Sequence, residues 1–157
     1  MFSKSIIFGL VTFLHDLFTA IWIGGLFTLA LSVFPAVRNN FGKSPQTQKL
    51  SKSIQKRHSV WVYISLVGLI ITGLLLSKQS PDFLGLFQFG DYYSMLLSSK
   101  HILVILMIAA SLYRSLALGK KDQLTPRQQK TSFLLLISNL TAGLLVLLIS
   151  GLLSAIS

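Results

Sequence analysis

The chain has no cysteine, no glutamate and only four aspartates in 157 residues. The missing cysteine excludes disulfides, thiolate metal sites and iron–sulfur clusters. The missing glutamate removes most routes to the paired carboxylates of acid–base enzymes. Charge of either sign is scarce at 11%, against about 25% in a soluble domain. No nucleophile–base constellation or phosphate-binding glycine loop stands out. An enzyme working without a cofactor is therefore the class the sequence supports least.

What fills the chain instead is apolar: 52% of residues are hydrophobic and the mean hydropathy is +0.70. Four apolar runs, at 5–36, 58–77, 92–118 and 131–156, each reach the roughly 20 residues needed to span a hydrocarbon core of about 30 Å. The first is too long for a signal peptide, has no clean small-residue cleavage site and is followed by three more. We therefore expect an all-α fold, one domain over 1–157, a polytopic four-helix bundle. The expected helices cover about 3–35, 45–78, 92–118 and 126–156.

The formal net charge of +10 comes from where the lysines and arginines sit. Arg38, Lys43, Lys49, Lys52, Lys56 and Arg57 lie between the first two spans. Arg114, Lys120, Lys121, Arg127 and Lys130 surround the third connection. By the positive-inside rule, loops 36–57 and 118–131 are cytoplasmic, both termini are extracytoplasmic, and the cell membrane is the expected location. This placement argues against nucleic acid as a partner and for anionic lipid headgroups of the bilayer.

Helix starts are written locally. Ser44-Pro45 reads as an N-cap with proline at the first helical position, Asp91 as the cap of the third helix, and Thr125-Pro126-Arg127-Gln128 as a capping box. Pro35 is expected to end the first helix, and Lys78 with Ser80-Pro81 the second. The connection 81–91 is rich in aromatic residues and glycine, which suits the membrane interface.

The functional question lies in the ionisable residues inside these runs. Such a side chain costs at least roughly 2.5–3.5 kcal/mol at a helix centre, so it faces the bundle interior and has a partner. His15 and His101 fall on the first and third helices at depths of roughly 16 and 14 Å from the extracytoplasmic ends. Two imidazoles at matching depth suit one haem b iron, or a copper ion; a hydrogen-bonded structural pair accounts for them equally well. Three histidines in all leave room for at most one bis-histidine haem. Trp22 shares the helical face of His15, and Gly24 and Gly25 offer close approach to a ring or a backbone. Asp16 points elsewhere, with Lys100 its expected partner in an ion pair or proton relay. His58, entering behind Lys56-Arg57, reads as a polar interfacial residue. Asn139 reads as an interhelical hydrogen-bonding residue.

His15, Trp22-Ile23-Gly24-Gly25, Thr72-Gly73 and Leu96-Leu97 with Lys100 together resemble the copper-resistance D (CopD) family of membrane domains. The resemblance implies copper transport or resistance, with an extracytoplasmic copper-binding protein as partner and His15 as the family's helix 1 histidine. Trp22, Gly25-Leu26-Phe27, Lys100 and Arg114 are similar to HemJ-type protoporphyrinogen oxidases, which bind haem b through a histidine of the first helix. The Pro-Arg of that pattern is displaced to Pro35 and Arg38, and its late helix 3 histidine is missing.

Three functions are thus in play. The first is a CopD-like protein that binds one haem b through His15 and His101, lined by Trp22 and Gly25, and serves membrane electron transfer with a redox partner. If it is an enzyme, it is a haem-dependent membrane oxidoreductase. The second is copper transport, with the same histidines as ligands. The third is an accessory subunit of a membrane complex, or a homo-oligomer, with structural histidines.

Overall fold

The computed structural model describes residues 2–42, 44–77, 87, 89–121 and 124–156, with side chains from residue 4 onward. The chain is an all-α, multi-pass membrane protein. Its four spanning helices are α1 (Lys4–Phe41), α2 (Pro45–Ser77), α3 (Tyr92–Leu118) and α4 (Pro126–Ile156). Lys78 and the connection 78–86, including Ser80-Pro81, lie outside the described residues. Large apolar side chains such as Ile6, Phe13, Val67, Ile71, Leu106 and Leu148 point outward, as lipid contact requires.

Local sequence sets the helix starts. The backbone N–H of Thr47 donates to Ser44 Oγ at 3.2 Å, and Pro45 fills the first helical position. Gly42 makes the turn just before it with a φ of 62°, open to glycine at little cost. Thr125 and Gln128 close a reciprocal box, with bonds of 3.2 and 3.3 Å. At α3, the N–H of Ser94 donates to the Asp91 carboxylate at 3.1 Å. Hydrogen bonds from the side chain and backbone of Ser94 hold that exposed carboxyl below its usual range. Its contribution is therefore complete at neutral pH and is lost as the pH falls through the depressed value. Asp91→Ala is accordingly expected to fray the first turn of α3 at pH 7, seen as faster amide exchange there, and to change little in strong acid.

Helix α1 departs from expectation. It does not end near Pro35 but continues to Phe41. Two π-helical turns, Ala20–Gly24 and Leu29–Val33, interrupt it. The second lies just before Pro35, which is thus carried inside a continuous helix with one backbone hydrogen bond missing. A third π turn, Tyr113–Leu118, ends α3.

The bundle is two hairpins. The first segment of α1, up to Thr19, packs on α2, and α3 packs on α4. Close packing between the hairpins begins at Ala20 and continues toward the basic loops, through α1 on α4 and the π turn of α3 on α2. We call that half the basic end and the other the terminal end. The core gathers Trp22, Ile23 and Leu26 with Val62, Leu66, Met107, Leu136 and Val146. Toward the terminal end, a groove of about 440 Å³ separates α1 from α4, bordered by Asp16, Thr19, Ile23, Gly24, Phe27 and Leu147.

Glycines set the spacing inside the first hairpin. A Cβ on Gly68 of α2 would run into the ring of Phe18, and one on Gly25 of α1 would run into His58. Each helix thus receives a ring from the other at a bare backbone. In the second hairpin Asn139 bridges α4 to α3, its amide donating to Met107 O at 3.3 Å and Ser111 Oγ at 2.9 Å. Asn139→Leu is expected to lower unfolding stability in bicelles by about 0.6–1.7 kcal/mol while leaving helix content unchanged.

Candidate functional site

The terminal half carries the histidine of the first apolar run. His15 is half-buried in the segment of α1 that packs on α2, and its Nδ1 lies 2.8 Å from Thr72 Oγ1. Thr72 is fixed in turn: its hydroxyl lies 2.7 Å from Gly68 O, one turn back in α2, and donates there. With its hydrogen spent, Thr72 Oγ1 accepts from His15, so Nδ1 carries the imidazole proton and Nε2 keeps its lone pair. Gly73 stands next to the ring, with a built Cβ 3.7 Å from His15 Cε1.

His101 reaches the same protonation pattern by another route. Its Nδ1 is 2.7 Å from the carbonyl oxygen of Leu97, one turn back in α3. A carbonyl only accepts, so Nδ1 carries a proton, and in the neutral tautomer this leaves Nε2 as the acceptor nitrogen. Ser94, Ser98 and His101 share one face at i, i+4 and i+7. Ser94 and Ser98 are buried, and His101 is half-buried. Lys100, the neighbour of His101, lies within electrostatic range of both Asp16 and His15. Asp16 itself fronts the groove between α1 and α4.

The other residues expected around a cofactor have different neighbours. Trp22 is 2% exposed in the core, inside the first π turn, and its indole Nε1 finds no partner among the described residues. Gly25 receives the imidazole of His58 from α2. Among the described residues no three His, Asp or Glu side chains cluster as a metal centre would require.

A second polar site lies toward the basic end, where sequence reasoning expected only an interfacial histidine. His58 and Tyr63 of α2 and Ser111, Arg114 and Ser115 of α3 surround a cavity of about 20 Å³, with Leu26 of α1 on its wall. Arg114 is 6% exposed, within the π turn that ends α3. His58 Nε2, Tyr63 Oη and Arg114 Nε are buried and have no hydrogen-bond partner among the described residues. The signal was present in part: Gly25 marks where α1 admits a ring, and Arg114 precedes its basic loop by several residues. What could not be read was that the two faces meet.

Comparison of the chain with protein-family models, with curated proteins and with solved structures finds no match in any of the three.

Proposed function

We propose that this chain is a CopD-like membrane protein that holds one haem b between α1 and α3 and serves electron transfer in the terminal half of the bundle. One observation carries the reading. His15 and His101 each set Nδ1 against an oxygen, at 2.8 and 2.7 Å, an arrangement that in the neutral ring leaves Nε2 as a lone pair. Metal-ligating histidines are prepared in this way: the Nδ1–H bond orients the ring and makes Nε2 more basic. The residues present fit the group. His15 and His101 would hold the iron, which supplies one-electron chemistry when bound. The hairpins also approach closely only toward the basic end, which agrees with a planar group between α1 and α3 at the other.

The remaining polar residues have supporting tasks. Thr72 and the Leu97 carbonyl hold the two rings in one tautomer. The Asp16 carboxylate and the Lys100 ammonium balance charge beside them, within reach of a proton moving toward the groove. Trp22 and Gly25 support α1 through the core and the His58 contact. With the basic loops on the cytoplasmic side, the histidines lie in the extracytoplasmic half, where a redox partner docks.

Copper transport is the weaker reading. Met107 is 1% exposed, with Cε in the core against Gly143, so it gives a copper ion no thioether near the histidines. Protein purified from haem-replete cells is expected to show Soret and α bands at about one haem per chain. A colourless preparation overturns the proposal, and stoichiometric copper without those bands replaces it with the copper reading.

A further inference from the structure

The basic-end cavity is not used by haem binding or electron transfer, and its charge is out of balance. Arg114 is only 6% exposed, and a buried guanidinium is stable only with a compensating anion or a full set of acceptors. The chain has no glutamate, and its aspartates are Asp16, Asp82, Asp91 and Asp122. Asp16 lies within electrostatic range of Lys100 and fronts the groove between α1 and α4, and Asp91 caps α3 at the end opposite Arg114. Asp82 and Asp122 lie outside the described residues. No carboxylate among the described residues reaches Arg114. The titratable group that does reach it is His58, a base.

Most polar groups around the void can donate, and the Gln55 amide on its wall carries an acceptor besides. Arg114 Nε–H and Tyr63 Oη–H are buried, and with His58 Nε2 they make three polar atoms without a hydrogen-bond partner among the described residues. Ser111 Oγ already accepts from Asn139, which leaves its own hydrogen free to point into the cavity. Serine and tyrosine hydroxyls and a guanidinium around one void recognise negative charge. The void sets the size: about 20 Å³ admits one water-sized particle and excludes a whole phosphate or carboxylate. The π turn that carries Arg114 is independent support, since such turns concentrate at functional sites.

We propose that this cavity is a binding site for one small inorganic anion of halide size, paired with Arg114 and hydrogen-bonded by Tyr63 and His58. The anion supplies the counter-charge that no carboxylate among the described residues provides, and joins α2 to α3 between the hairpins.

The test uses the full-length protein in phosphatidylcholine nanodiscs free of anionic lipid. Thermal unfolding is followed in sodium chloride, sodium bromide and sodium gluconate at equal ionic strength, with chloride-35 NMR linewidth as a direct readout. Chloride and bromide are expected to raise Tm saturably, as linkage requires, and to broaden the chloride resonance, while gluconate does neither. Arg114→Gln is expected to abolish both effects. Should that variant fail to fold, Tyr63→Phe keeps the question open to measurement, with a halide midpoint weakened about tenfold. A wild-type Tm and linewidth indifferent to halide overturn the proposal. So does stabilisation by phosphatidylglycerol nanodiscs without any halide response, which would assign the cavity to one oxygen of a lipid phosphate.

Discussion

His15→Ala is expected to abolish the Soret and α bands of the purified protein. Thr72→Val, which keeps the shape and removes only the hydroxyl, is expected to leave the bands in place but weaken haem retention by about 10–100-fold. The difference comes from position. His15 supplies the lone pair, whereas Thr72 fixes the ring that carries it, through the 2.8 Å contact and its own bond to Gly68 O. His101→Ala is expected to shift the bands without abolishing them, since the ring that Leu97 O positions is then gone. Optical titration with added haem measures all three. An unchanged His15→Ala spectrum sinks the assignment, and a Thr72→Val protein identical to wild type removes the tautomer argument.

The second large effect is steric. Gly68→Leu is expected to destabilise the first hairpin by about 1–3 kcal/mol, because the added atoms occupy the space of the Phe18 ring. Gly25→Leu collides in the same way with His58, and also dislodges that imidazole from the basic-end cavity. Gly24→Ala, with nothing within 4 Å of its built Cβ, is expected to be neutral or to stabilise by up to about 1 kcal/mol. The neighbouring glycines therefore separate a packing role from mere helical weakness. Phe18→Ala in the Gly68→Leu background is expected to restore part of the loss, and a double-mutant cycle measures the coupling. Equal stability of the Gly24 and Gly25 variants would show that the contact does not hold the helices.

The spans and their caps were legible because their causes are local. Ser44-Pro45, Asp91 and Thr125–Gln128 each satisfy backbone donors within a few residues, whatever the rest of the chain does. Asn139 was legible for a related reason: an amide in an apolar run must find a partner on another helix. The faces were harder to read. Extrapolating from His15 at 3.6 residues per turn places Trp22 and Leu26 beside it. The π turns at 20–24 and 29–33, however, each add a residue and rotate the remainder of the helix by on the order of 100°. The meeting of His58 with Arg114 depends on how two separate helices are rotated, which no single helical period encodes.

The close packing of the two hairpins at one end has a mechanical consequence. Their contact near Ile23, Gly143 and Met107 is a fulcrum, and the segments toward the termini are lever arms. Because the hairpins stay in contact from there toward the basic loops and separate toward the termini, a change in the angle between them is taken up between the arms that carry His15 and His101. Bilayer thickness, which tilts helices, would therefore be felt first by the imidazoles and last by the guanidinium.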